Sequence, residues 1–211
     1  MSAAGALGAP GATTVSAAPR VLCIAGSPRR HGNSEQLLDA FERGVTEAGG
    51  IVVRLVAAEA GVHPCRGCNA CSQTGECVVR DGMDAVYAEV DAADAIAIAT
   101  PVFFATVPAV LKTLYDRFQP YWARRYALGQ PAPTRKRPGA LLVVGGGGDP
   151  YGTGCAIAPS KSVMAGVGVS LDTVYECVGP DSASDMGHHP ECLIRAEEIG
   201  RELVNTVSAG T

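Results

Sequence analysis

Apolar positions along this chain fall into two alternating rhythms. Arg20–Ala25 (RVLCIA), Ile51–Val56 (IVVRLV), Ala95–Ala99 (AIAIA), Ala140–Val144 (ALLVV) and Leu171–Val178 (LDTVYECV) are short apolar runs that predict five strands. Between them the spacing becomes helical. Leu37, Leu38, Phe41 and Val45 share one face of a helix starting at Asn33. Val110, Leu111, Leu114, Tyr115 and Phe118 do the same within a helix predicted over Val107–Phe118. Further helices are predicted from Asp84 to Ala92 and from Ala156 to Ala165. A closing helix starts near Pro190, which suits a first helical turn, with Glu191 favourable to the dipole there. Strands alternating with helices argue for a parallel sheet covered on both faces.

Five strands is the size of a flavodoxin-like three-layer sandwich with sheet order 2-1-3-4-5, which binds its ligand at the carboxyl ends of the strands. A chain of 211 residues fits one such domain. The net charge of -4 offers no basic surface for a nucleic acid. The longest apolar runs, such as 139–144, are too short to span a bilayer. Residues 1–19 carry no charged side chain and read as a disordered tail, not a secretory signal, so residues 20–211 form the domain and a cytoplasmic protein is expected. In a reducing cytoplasm the eight cysteines favour metal or redox chemistry over disulfides. Cys23, Cys155, Cys177 and Cys192 stand singly and read as small buried hydrophobes.

The other four cysteines, Cys65, Cys68, Cys71 and Cys77, form the pattern C-x2-C-x2-C-x5-C inside the loop 63–80. Thiolates suit iron–sulfur clusters and zinc. Three cysteines at two-residue gaps can turn around one cluster, as in the bacterial ferredoxin run, although no proline follows Cys77. Zinc sites more often use two separated pairs.

Three loops converge at the predicted ligand edge. The first, Gly26-Ser27-Pro28-Arg29-Arg30-His31-Gly32-Asn33-Ser34, opens the first helix. Unpaired amides and a positive dipole there suit an anion, and Arg29 adds a charged fork. The loop fits a single terminal phosphate; it also reads as a cap in which Asn33 and Gln36 pair. It is neither a GxGxxG turn nor a P-loop. The second, Thr100-Pro101-Val102-Phe103-Phe104-Ala105-Thr106, can meet a planar ring with backbone and two aromatics, with Thr106 capping the next helix. The third, Gly145-Gly146-Gly147-Gly148-Asp149-Pro150-Tyr151-Gly152, lets backbone approach a ligand closely or serves as a turn.

GSPRRHGNS, CRGCNACSQTGECVVRDGM and TPVFFATVPAVLKTLYDRF, in this order, closely resemble the flavodoxin-like NAD(P)H-dependent FMN reductases, and within them the iron–sulfur flavoproteins. The resemblance covers roughly residues 20–205. It implies that Ser27, Arg29, Gly32, Asn33 and Ser34 hold the FMN phosphate. Thr100, Pro101, Val102, Phe103 and Phe104 would line the isoalloxazine and ribityl region, and Gly145, Gly146 and Gly147 would flank the ring. Cys65, Cys68, Cys71 and Cys77 would carry a 4Fe-4S cluster. It further implies NAD(P)H as co-substrate and a homodimer or homotetramer with flavin near subunit contacts.

Asp81-Gly82 stands where the family has an aspartate pair, which predicts a looser helix start. Gln119–Tyr126 is more aromatic and basic than expected; it reads as a helix end at a subunit contact, or as a lid in which Arg124 or Arg125 meets an anion. Arg135-Lys136-Arg137 reads as a solvated loop, and His188 and His189 as exposed turn residues or metal ligands. No Ser/His/Asp or Cys/His set is evident. The chain therefore reads as an FMN-dependent oxidoreductase moving electrons from NAD(P)H or ferredoxin to a small acceptor or a partner protein. The alternatives are a non-catalytic flavin electron carrier or redox sensor and a zinc-stapled binding module.

Overall fold

The computed structural model describes residues 17–134, 137–182 and 185–210. Most of the tail expected over residues 1–19 falls outside them, as do Arg135 and Lys136.

The five apolar runs pair side by side because continuous Val, Ile, Leu and Ala runs can hide both faces. The strands are β1 (Arg20–Ala25), β2 (Ile51–Val56), β3 (Ala95–Pro101), β4 (Arg137–Gly145) and β5 (Val169–Val178). They form one parallel sheet of order β2-β1-β3-β4-β5, as expected from the sequence. The central strands β1, β3 and β4 are buried nearly throughout, while β2 and β5 are half-exposed edges. β4 starts three residues earlier than its apolar core suggests. Arg137, expected in a solvated loop, instead donates to the carbonyls of Ala93 (3.1 Å), Val90 and Val167, closing the lower end of the sheet.

α1 (Asn33–Glu47) and α7 (Pro190–Ala209) cover one face, and α3 (Met83–Ala92), α4 (Ala109–Asp116) and α6 (Gly154–Gly166) the other. A short helix α2 (Cys71–Thr74) lies within the cysteine loop. The helix expected over Val107–Phe118 is α4, two residues shorter at each end, and Gln119–Tyr126, read as a helix end or a lid, is a separate helix α5 with proline in its first turn. Thr106 does not cap α4; Pro108 occupies the cap, and the Thr106 hydroxyl donates to the Cys155 carbonyl at 3.4 Å. Among the described residues no helix is long and apolar enough to cross a membrane.

α1 and α7 touch through backbone. A Cβ on Gly44 would stand 1.9 Å from the Glu197 carbonyl oxygen, and one on Gly200 2.1 Å from that of Phe41. Gly44→Ala is expected to cost about 1–3 kcal/mol through overpacking, read as a lowered urea midpoint. Gly166→Ala, where an added Cβ meets nothing within 4 Å, leaves that midpoint unlowered.

The remaining cysteines depart from a single rule. Cys23 is buried as expected, but Cys155 is exposed, and Cys177 and Cys192 are joined as a disulfide with Cα atoms 6.0 Å apart. The end of β5 and the start of α7 meet side by side, which sequence spacing alone does not disclose.

Candidate functional site

The carboxyl ends of β1, β3 and β4 open into a cavity of about 360 Å³. Ser27, Arg29, Gly32, Asn33 and Ser34 form one wall; Pro101, Val102, Phe103 and Phe104 form a second; Val144, Gly145 and Gly146 form the floor. Thirteen residues were expected here. Of these, Thr100 is fully buried with its hydroxyl on the Pro101 carbonyl (3.0 Å), so it supports the wall without lining it. Gly147 lines an adjoining cavity of about 460 Å³ with Gly148, Asp149, Thr153 and Val178. Pro180 and Asp181 complete the first cavity and were missed. Their signal was positional: the segment after β5 must also end at this edge of the sheet.

The β1–α1 loop is held in shape from within. The Ser27 hydroxyl accepts from the Arg29 amide at 3.0 Å. Buried Glu35 accepts from the Arg30 guanidinium (2.8 Å), the Arg54 guanidinium (3.3 Å) and the His31 amide. Burial alone raises the Glu35 carboxyl, but Arg30 and the His31 N–H outweigh it, so the group stays ionised below its ordinary range. Asn33 and Gln36 do not form a capping pair. Asn33 instead spans to the far loop, donating to the Ser182 carbonyl (2.7 Å) and accepting from the Met186 amide (3.2 Å). Gln36 donates to the His31 carbonyl at 3.1 Å. With the loop fixed, Arg29 lies over the Phe103 ring at 5.6 Å, and no carboxylate among the described residues pairs with it. A guanidinium without a carboxylate partner, at the start of a fifteen-residue helix, leaves positive charge at the cavity.

The second wall is a tight reversal. Phe103 and Thr106 exchange backbone hydrogen bonds of 2.8 and 3.1 Å around Phe104 and Ala105, which sit at φ 48° and 61°. Two positive φ values in succession are the mark of a type I′ turn. It projects Phe104 fully into solvent at the cavity rim.

Asp185 ties Asp181 and Ser182. Its carboxylate accepts from the Ser182 hydroxyl and from the amides of Asp181 (3.0 Å) and Ser182 (2.7 Å), which lower it to about 2. A lowered carboxylate contributes stability above its ordinary value of about 4 and loses it as pH falls toward about 2. Ligand at the cavity is therefore expected to dissociate more readily between about pH 4 and 2. Asp185→Asn is expected to weaken retention at neutral pH and flatten that dependence, read by equilibrium dialysis.

Cys65, Cys68, Cys71 and Cys77 line one small cavity with Asp116, Arg117 and Pro120. Burial raises the Cys71 thiol, and the neighbouring Cys65, Cys77 and Cys68 add to that. Arg117 was not foreseen. Its guanidinium is 1% exposed; it donates to the carbonyls of His63 (2.8 Å) and Val79 (3.1 Å) and to Asp81 (2.7 and 3.2 Å). It therefore grips both ends of the cysteine loop. Arg117 foremost, with the amides of His63 and Met83 (both 2.9 Å), holds the Asp81 carboxyl well below the usual range. The expected loosening at Asp81-Gly82 is reversed: Asp81 anchors the start of α3. Gly82 lets the chain pass where a Cβ would stand 1.6 Å from the Ala60 oxygen. In α5, Arg124 donates to the Gly75 carbonyl (2.8 Å) and lies over Tyr121, so it braces the cysteine loop and is not a mobile lid.

The donor set and its shared cavity fit a group held by four thiolates. Among the described residues, the cluster whose ligand atoms lie within 4.8 Å of one another is His189, Glu191 and Cys192, not this loop.

A family profile described as NADPH-dependent FMN reductase matches residues 19–155. An iron-sulfur flavoprotein of Archaeoglobus fulgidus is 36% identical over 127 residues, covering 60% of this chain and 55% of that protein. One of Methanosarcina thermophila is 35% identical over 127 residues, covering 60% of this chain and 63% of its own. The chain thus spans less than two thirds of the length of these curated relatives. Among solved structures, an NAD(P)H:quinone oxidoreductase from Methanothermobacter marburgensis superposes with a TM-score of 0.65 at 23% identity, over 89% of this chain and 100% of that one. That likeness bears on the fold.

Proposed function

Because the chain belongs to the NADPH-dependent FMN reductase family, we propose that it is an FMN-dependent oxidoreductase fed by NAD(P)H or a ferredoxin. The cavity would hold FMN, and Cys65, Cys68, Cys71 and Cys77 a 4Fe-4S cluster; together these groups would supply the redox chemistry that reduces a small acceptor or a redox partner protein. The observation that carries this reading is the convergence of residues 27–34, 101–104 and 144–146 on one cavity at the carboxyl edge of the sheet.

Bound FMN supplies two-electron and one-electron chemistry, and a cluster supplies one-electron steps. The residues bind and orient. Arg29, Ser27 and Ser34 meet the phosphate at the α1 start, where dipole and guanidinium add. Val102 and Phe103 cover the ring region, held by the Val102 amide on the Val144 carbonyl at 2.9 Å. Gly145 and Gly146 bring bare backbone to the other side. Arg117, buried beside the cysteines, holds the two ends of their loop through the carbonyls of His63 and Val79 and so fixes the loop that would carry the cluster.

The same reading places the protein in the cytoplasm, where the loop thiols stay reduced, as a homodimer or homotetramer with the exposed Phe104 and Tyr151 near the contact. Anaerobic purification followed by a visible spectrum and assay of flavin and acid-released iron tests the cofactors. A yellow-brown protein with FMN and iron is expected. Flavin without iron keeps the reductase and removes the cluster; a colourless protein removes both. Steady-state oxidation of NADH and NADPH with quinone acceptors separates the enzyme from a passive carrier, which turns over negligibly.

A further inference from the structure

The start of α7 holds a second set of metal-ligating side chains, unused by the flavin reading and distant in sequence from the cysteine loop. His189, Glu191 and Cys192 present a ring nitrogen, a carboxylate oxygen and a sulfur that all lie within 4.8 Å of one another. The sulfur of Cys177, at the end of β5, is bonded to that of Cys192 and so stands at the same point. Cys177 is 1% and Cys192 5% exposed, whereas Glu191 is exposed. The His189 ring has its Nδ1 3.2 Å from the Glu191 carboxylate and lies beside Gly179, where an added Cβ would stand 3.1 Å from the ring's Cε1. The group is therefore dry on the sulfur side and open to solvent at the carboxylate.

Two thiolates, an imidazole and a carboxylate make a four-donor set of the kind that zinc takes in tetrahedral geometry. Metal–sulfur and metal–nitrogen bonds of about 2.3 and 2.0 Å put the donors roughly 3.5 Å apart, which side-chain rotation reaches from the observed separations. While the sulfurs are bonded to each other, neither is a thiolate and the set is closed. We propose that Cys177, Cys192, His189 and Glu191 form a binding site for a thiophilic divalent cation of the zinc class, open in the dithiol form and shut by the disulfide. To open it, a dithiol reductant gives two electrons and two protons to the sulfur–sulfur bond and is itself oxidised to a disulfide. The cation then displaces both thiol protons to solvent. The site is independent of whether flavin occupies the cavity.

The test uses the full chain, reduced with a trialkylphosphine, freed of it, and treated with iodoacetamide with and without zinc. Peptide masses report each cysteine separately, so protection at Cys65–Cys77 is not confused with protection here. Zinc is expected to slow alkylation of Cys177 and Cys192 by tenfold or more while exposed Cys155 is unchanged. His189→Ala is expected to raise the zinc concentration needed by at least roughly tenfold, the loss that outer-shell changes alone produce. Equal alkylation of the pair with and without zinc overturns the proposal, as does protection that survives His189→Ala combined with Glu191→Gln. If burial leaves the pair unreactive in every condition, native mass spectrometry decides. One fewer zinc in reduced Cys177→Ser than in the reduced parent supports the site, and an equal count overturns it.

Discussion

Replacing Arg117 with methionine is expected to lower the unfolding free energy by about 3–5 kcal/mol, the usual loss when one partner of a buried ion pair is removed. The reason lies in what remains. Asp81, 5% exposed, keeps a charge with no guanidinium to meet it, and the carbonyls of His63 and Val79 lose their donor. For a domain of this size each kcal/mol moves the melting temperature by about 2–4 °C, so a fall of roughly ten degrees should appear by circular dichroism. Iron content should fall further than stability does, because Arg117 ties the two ends of the loop that carries Cys65, Cys68, Cys71 and Cys77. Joining Arg117→Met with Asp81→Leu should cost less than the two single changes summed, since no unpaired charge is then buried. Additive losses would show that the ion pair is not the coupling element.

Replacing Arg29 and Ser34 together with alanine is expected to weaken FMN retention by about two to four orders of magnitude. Hydrogen bonds to a charged group contribute about 1.5–3 kcal/mol each, and the phosphate loses two such partners. The fold should hold: Arg29 is exposed and carries no ion pair among the described residues, and a serine-to-alanine change at Ser34 removes one oxygen. Flavin dissociation followed by fluorescence reads the effect directly. Undiminished retention, with an unchanged circular dichroism spectrum, would remove the phosphate from this loop and with it the proposed function.

Both experiments concern features of different legibility. Ser34 sits at the start of a helix that follows a strand, and Arg29 in the loop leading to it, so local pattern and dipole physics pointed to each before any coordinates. Arg117 lay unremarked at the end of an amphipathic run, where a charged residue ordinarily faces water. Only its position under the 63–81 loop, 36 residues away from Asp81 in sequence, turns it into an internal clamp. Asn33 shows the same limit. Its type suggested a cap or a phosphate donor, yet its amide bridges to Ser182 and Met186, about 150 residues on.

What the sequence by itself determined is the local layer: five strands, the helices between them, the sheet order they imply, and the loops 27–34, 101–104 and 145–147 gathered at one edge of that sheet. Hydrophobic period and chain alternation act over a few residues and are written directly in the order of side chains. What only the tertiary structure decided are the pairings across the chain: Arg117 with Asp81, Arg124 with Gly75, Cys177 with Cys192, and the closing of the cavity by Pro180 and Asp181. Such contacts depend on where packed elements finally lie, and a charged or sulfur-bearing side chain gives no local sign of which distant partner it will meet.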